Sequence, residues 1–444
     1  MPGTTGGSPA LLRHFTAAEL ASVQPVPVLV EFQDPPVAVF RAEHPQAGPG
    51  EVATYARTLH EAHRTLLRKL QQMGTAVAGA WSLAGAAGGS APDSLVGWEF
   101  VDLFNGVGLR VPGAVVRELA RLEGVRTITL DRPRAYLQSG TAAFPPSGSV
   151  VRFLVRRRGT PARGERVVIA IMGAGGPPVD LPGVRVISYK VLDTAGFGTA
   201  AHIVGALEDA VRSGAQVVHL PLGDAAGDPR SPEAVAAANA LRAGVAIWGT
   251  PGGTLLTPAQ VAGAWALLRQ HHPDQDVLTL QAVLTGSARY AVRAHGAGGQ
   301  GPGVPDLGRA ALTRHVVTPA DSLPPMAHHL GVVEHQGERV VRTWRVRVQD
   351  LGGATSPCRL GVRWLTREPG LRASLSRRGF LLATGGKEEV DLTLQVDGTR
   401  LRDGEYRGLV EASRGGLVMR LPFRILVRRR IPPEEAGTGS SAEA

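Results

Sequence analysis

The sequence predicts a multidomain α/β protein: a reduced parallel sheet with helices on both faces, preceded by a ferredoxin-like α+β unit and followed by a β-sandwich. Three observations predict it. Near-continuous apolar strands alternate with helical segments between residues 165 and 315, as in a parallel sheet buried on both sides. Ahead of them the elements run β-α-β-β-α-β. From about residue 316, short strands with period-two alternation take over.

Residues 1–25 read as a leader without a core of its own, expected to be disordered. The 26–137 unit opens with the strand VPVLVEF (26–32). A long helix follows at about 50–73, in which Val52, Tyr55, Leu59, Ala62, Leu66, Leu70 and Met73 recur every three or four residues as one apolar stripe. Two β-type stretches in 97–111, a short helix at 113–122 and the strand VRTITL (125–130) complete it. A Pro/Gly/Ser-rich stretch at 138–149 opens a linker running to 164. The 165–315 unit has strands at 166–172, 184–192, 215–222 and 244–248. Its helices are expected near 199–213, 231–242, 258–271 and 277–288, with right-handed crossovers between strands. In the 316–431 unit the clearest strand is Leu417, Met419, Leu421, Phe423, Ile425, Val427. The tail, 432–444, has the composition of a disordered segment.

Composition narrows the function classes. The formal charge is +10, carried almost wholly by arginine, since Lys69, Lys190 and Lys387 are the three lysines. Residues 1–150 hold 12 basic and 12 acidic side chains, and the runs Arg156–Arg158 and Arg428–Arg430 have no interleaved aromatics. That distribution describes a basic solvated surface better than a nucleic-acid interface, and no nucleic-acid partner is expected. No run of 18 apolar residues exists for a membrane span. The first 20 residues lack the basic start and apolar core of a secretory signal, and the compartment stays unassigned. The single cysteine, Cys358, excludes a disulfide framework and a cysteine-built zinc site.

Three units, in order, resemble parts of the subtilisin-like serine proteases (peptidase S8). FVDLFNGVGLRVP (100–112) and LEGVRTITLDR (122–132) are similar to strands of that family's inhibitory propeptide, the inhibitor I9 type. KVLDTAGFGTAAHIVGALEDAVRSGAQVVHLPLG (190–223) resembles the protease domain nearly throughout, and GPGVPDLGRAAL (301–312) resembles its end. The last unit resembles the fibronectin-type-III-like sandwich found after many large members. The catalytic stretches depart from the family. The strand IAIMGAG (169–175) has Gly173 where the family has its Asp. The segment that carries the His has no counterpart. GTLLTPAQVAG (253–263) puts Leu255 at the Ser position, and the Asn that serves the oxyanion is missing, because the chain's two asparagines are Asn105 and Asn239. Acyl transfer needs a nucleophile, a base, an orienting acid and oxyanion donors. The resemblance therefore implies a scaffold without its triad.

Other candidates have blander readings. Thr254 is the fallback nucleophile, but a structural Thr near a helix start explains it better. His202 and His219 read as structural histidines. His60 and His63 lie one helical turn apart beside Glu61. With no third ligand in view, an exposed or flanking helix face is preferred to a metal site. GAGG (173–176) lacks the helix N-terminus of a dinucleotide loop, because Pro177-Pro178 follow.

These readings imply a non-catalytic protease homologue with a binding, regulatory or scaffold role, a protein or peptide partner (a true subtilase among the candidates), no cofactor and no metal. Two alternatives stand beside it. One is an active serine endopeptidase with a displaced triad. The other is an inhibitor or folding chaperone acting in trans through 26–137. The former nucleophile position is expected to have closed into core, with Leu255 packed against the sheet.

Overall fold

The computed structural model describes residues 11–73, 96–135, 137–138, 167–173, 184–220, 222–223, 230–248, 264–265, 267–269, 271–288, 306–320, 328–365 and 368–429. They form a mixed α/β protein with a parallel sheet and a β-rich C-terminal region. Contacts divide it into two compact units, 1–138 with 166–247 and 139–165 with 248–444.

The first unit begins with β1 (Leu11–Arg13) and the short helix α1 (Ala17–Leu20). Both lie in the leader that the sequence led us to expect disordered, and that expectation is corrected for residues 11–25. Thr16 and Glu19 form a capping box, and β1 pairs in parallel with the strand at 125–130. Leu12, Phe15 and Leu20 pack against the core, which supplies the burial a free leader would lack.

Strand β2 (Pro25–Phe32) and helix α2 (Val37–Glu43) follow, then helix α3 (Pro49–Met73), β3 (Val96–Phe100), β4 (Gly106–Pro112), helix α4 (Gly113–Leu119) and β5 (Val125–Leu130). The strands lie in the order β1-β5-β2-β4-β3, so β2 pairs antiparallel with both β4 and β5. The predicted stripe of α3 is the buried one: Leu66 and Leu70 join Val28, Val30, Val107, Val116 and Ile128 in one core. Gly113 is held to glycine by close approach, since an added Cβ would fall on the Glu19 carbonyl.

Short strands β6 (Arg134–Ala135) and β7 (Leu137–Gln138) precede β8 (Val167–Gly173), β9 (Val184–Lys190), β10 (Phe197–Gly198), helix α5 (Ala200–Arg212), β11 (Val217–His219), β12 (Leu222–Gly223), helix α6 (Pro232–Arg242) and β13 (Ala246–Trp248). The parallel sheet runs β13-β11-β8-β9. Strand β9 lies on one side of β8 and β11 on the other, so the chain reverses direction across the sheet at β8. In open parallel sheets, clefts form outside the carboxyl ends of the strands at such a reversal. Gly173 ends β8 there, opposite Lys190.

In the second unit, helices α7 (Val277–Gly286) and α8 (Leu307–Leu312) precede the strands β14 (His315–Pro319), β15 (His328–His335), β16 (Arg339–Asp350), β17 (Ser356–Trp364), β18 (Leu371–Leu375), β19 (Gly379–Leu382), β20 (Lys387–Asp397), β21 (Gly404–Arg414) and β22 (Leu417–Arg429). Two sheets result, β14-β16-β20-β18 and β15-β22-β21-β17-β19. In β22 the alternating residues Met419, Leu421, Phe423, Ile425 and Val427 are all buried, as their spacing predicts. Helix α7 was read with the parallel-sheet segment, and it packs instead on β14 and β22. Residues Thr279 to Gly286 are buried without interruption, so this helix needs cover on every side.

Candidate functional site

The block KVLDTAGFGT forms a tight return from β9 into α5. The Gly173 carbonyl accepts from the amides of Val191 (2.9 Å) and Leu192 (3.1 Å). Asp193 Oδ1 accepts from the amides of Ala195 (2.9 Å) and Phe197 (2.8 Å), closing the turn. Gly196 has φ +84°, and a Cβ on Gly198 would meet the Val191 carbonyl 2.5 Å away. The motif's glycines are therefore required by backbone geometry.

The same segment joins the 26–137 elements to the helices that cover the parallel sheet. Asp131 Oδ1 accepts from the amides of Ala200 (2.8 Å) and Ala201 (3.4 Å) at the N-terminus of α5. Burial pushes its carboxyl above the ordinary range, and those two amides act against the rise. One turn from the far end, Glu208 is 1% exposed. Its Oε1 accepts from the amides of Asp102 (2.9 Å), Leu103 (2.8 Å) and Phe104 (3.4 Å), while Arg212 donates to Oε2 (2.8 Å). Burial pushes the Glu208 carboxyl up to about 7, against the pull of the Leu103 amide and the Arg212 guanidinium. Asn239 on α6 donates to the Leu103 carbonyl (2.8 Å), and Arg134 donates to Glu233 (2.7 Å).

Alternation along β3 gives its two faces different tasks. Trp98 and Phe100 face α5, where a Cβ at Gly205 would meet the Trp98 ring at 2.6 Å. They bound a cleft of roughly 370 Å³ together with Tyr189, Lys190, His202 and Asp209. Glu99 presents its carboxylate to α3 instead. Its Oε1 lies 2.6 Å from His60 Nδ1 and 3.0 Å from His63 Nδ1. His63 Nε2 lies 2.8 Å from Asn105 Oδ1, and the His63 ring packs 4.6 Å from Phe32. The two imidazoles hold the Glu99 carboxyl down at about 2, the His63 bond contributing most.

This corrects the helix-face reading of His60 and His63. His63 is fully buried and His60 half-buried, and Glu99 meets both rings. Residues 36 and 39 positions away in the sequence gave no signal of that meeting. The other sequence-derived residues fall as follows. Gly173 stands at the carboxyl edge of the parallel sheet and contributes no functional group. Thr254 and Leu255 lie outside the described residues. His219 is buried in β11, opposite Ile171. His202 is exposed, with Nδ1 2.8 Å from Thr199 Oγ1. That hydroxyl accepts from the His202 amide as the N-cap of α5, so the pair serves the helix end.

No protein-family model matches the chain, and no curated protein matches it. Among solved structures it is similar to fervidolysin from Fervidobacterium pennivorans, a keratinolytic enzyme related to subtilisin. That likeness covers 94% of this chain and 93% of that one, at 10% identity and a TM-score of 0.39. A PapD-like domain of human CEP192 is similar over 27% of this chain and 87% of its own, at 14% identity and a TM-score of 0.20. A FixG-related protein from Vibrio parahaemolyticus is similar over 20% and 81%, at 11% identity and a TM-score of 0.18. No described helix is long and apolar enough to cross a membrane.

Proposed function

We propose that this chain is a non-catalytic homologue of the subtilisin-like proteases, with a protein-binding, regulatory or scaffold role. In this reading residues 26–137 are a propeptide-like, ferredoxin-type unit and the parallel-sheet segment that follows from 165 is a shortened protease-like unit. Residues 316–431 are a fibronectin-type sandwich. The observation that carries the reading is Gly173. It ends the strand at which the sheet's connectivity reverses, where the resemblance calls for the carboxylate that orients the catalytic base, and it has no side chain to supply one. With Leu255 at the position of the nucleophile in sequence, both ends of the charge arrangement are missing.

The buried contacts made by Asp131, Glu208 and Asn239 support a 26–137 unit that stays in place. A trans-acting inhibitor would have to release those contacts before engaging another protein with the same face, so the attached form is the better reading. The purified full chain is expected to leave denatured casein intact, to resist fluorophosphonate labelling and to remain one 46.5 kDa chain. Stoichiometric labelling of any serine would refute the reading in favour of an active endopeptidase with a displaced triad.

A further inference from the structure

We propose that His60, His63 and Glu99 form a binding site for one divalent first-row transition ion, with Zn²⁺ as its reference. Asn105 is buried behind His63. Its Nδ2 donates to the Asp34 carbonyl (2.8 Å), an atom that can only accept. The side-chain amide is thereby oriented with Oδ1 toward His63, so His63 Nε2 must carry a hydrogen and donate it (2.8 Å). With Nε2–H committed to Asn105, Nδ1 meets a Glu99 carboxylate oxygen 3.0 Å away in one of two forms: carrying a proton that it donates, as in the metal-free chain, or presenting its lone pair to a bound cation. Two electron-rich atoms in contact at a fully buried ring require a positive charge between them. A divalent ion supplies that charge and a proton is its competitor.

The surroundings match a metal site in three respects. His60 and His63 are three residues apart, so α3 presents both Nδ1 atoms on one side. One ligand atom from each of His60, His63 and Glu99 lies within 4.8 Å of the other two. An ion with bonds of about 2.0–2.2 Å separates tetrahedral donors by roughly 3.4 Å, so slight outward rotations of the partly exposed His60 and Glu99 side chains open the position. His63 is fixed from behind by Asn105, the arrangement in which a ligating imidazole donates its other N–H to an oxygen. Two imidazoles and one carboxylate suit zinc and its neighbours rather than calcium or magnesium. The fourth position would face solvent, on the side where His60 and Glu99 are exposed. Such an ion would tie α3 to β3 across a pairing that no covalent bond secures.

Titration of the full-length, chelator-treated chain with Zn²⁺ tests this, alongside visible absorption of a Co²⁺-loaded sample as a report of imidazole ligation. The expected result is one tight equivalent per chain and a rise in Tm on loading. His60→Ala on the outer side of the helix, and separately Glu99→Gln, should weaken binding at least tenfold and abolish the Tm shift, with helix content retained by circular dichroism. Wild-type protein that binds no equivalent would overturn the proposal and leave a proton at the shared position. So would binding that neither variant weakens, which would assign the ion to other histidines.

Discussion

Replacing Glu208 with alanine removes an acceptor that three backbone amides share. Leu103 and Phe104 are buried, as is Glu208 itself. A hydrogen bond to a charged group contributes about 1.5–3 kcal/mol, and leaving a buried donor unmade costs a similar amount. Two of the three bonds are short, at 2.9 and 2.8 Å. Arg212 is 54% exposed and regains water, so its ion pair adds little. The sum is about 3–5 kcal/mol for Glu208→Ala. Glu208→Gln keeps one oxygen for the amides and imitates the protonated form, so it should cost about 1 kcal/mol. Urea unfolding gives the totals, and hydrogen exchange localises them: amides 102–104 should exchange at least about a hundredfold faster in the alanine variant. An alanine variant within about 1 kcal/mol of wild type, with those amides still protected, would refute the account of how this segment is held.

Arg414→Ala should be among the costliest changes in the second unit, at about 3–5 kcal/mol by urea unfolding, because it strands the fully buried Asp350 carboxylate. Gly113→Ala should cost about 1–3 kcal/mol or more, since backbone rather than a movable side chain occupies the space of the new methyl group. Acid and neutral pH should act on the first unit with opposite signs. Glu99, held down at about 2, contributes stability that is present above the 4.5 of an unperturbed carboxyl and lost as pH falls toward 2. Glu208, raised from 4.5 to about 7, binds its proton more tightly when folded, so its contribution is full below 4.5 and lost as pH rises through 7. Stability measured from pH 3 to 8 should therefore lose its decline between 4.5 and 7 in Glu208→Gln.

Much of the fold was legible because its signals are local. The α3 stripe and the alternation in β22 each follow from residues close to one another in the sequence. What stayed hidden depends on where distant segments meet. Glu208 sits four residues before Arg212 and reads as an ordinary solvated helix pair. Its amide partners lie more than a hundred residues upstream. Glu99 is an unremarked acid in a strand until the sheet sets that strand beside α3. Strand β1 was missed because three residues give too short a period, and their pairing partner is 116 positions away. Helix α7 was assigned to the wrong neighbours because a helix apolar on all sides carries no face to say which layer it covers.

The buried charges themselves bear on function. Perturbed carboxyl groups in a cleft are candidates for catalysis, because chemistry needs groups held away from their ordinary protonation state. Asp131 and Glu208 qualify by perturbation alone, yet Asp131 is turned toward the amides of Ala200 and Ala201 and the Thr199 side chain, and Glu208 toward the 102–104 amides and Arg212. A general base needs a lone pair free to take a proton from a substrate, and a nucleophile needs an open approach. Asp131 caps α5, and Glu208 gathers the amides of residues 102–104. Both join the 26–137 elements to the helices of the parallel sheet. Their low-dielectric settings strengthen that union at the cost of placing charge where solvent cannot reach. An attachment built this way does not depend on a nucleophile or a base at the sheet's carboxyl edge. Glycine at 173 and leucine at 255 therefore leave that attachment unaffected.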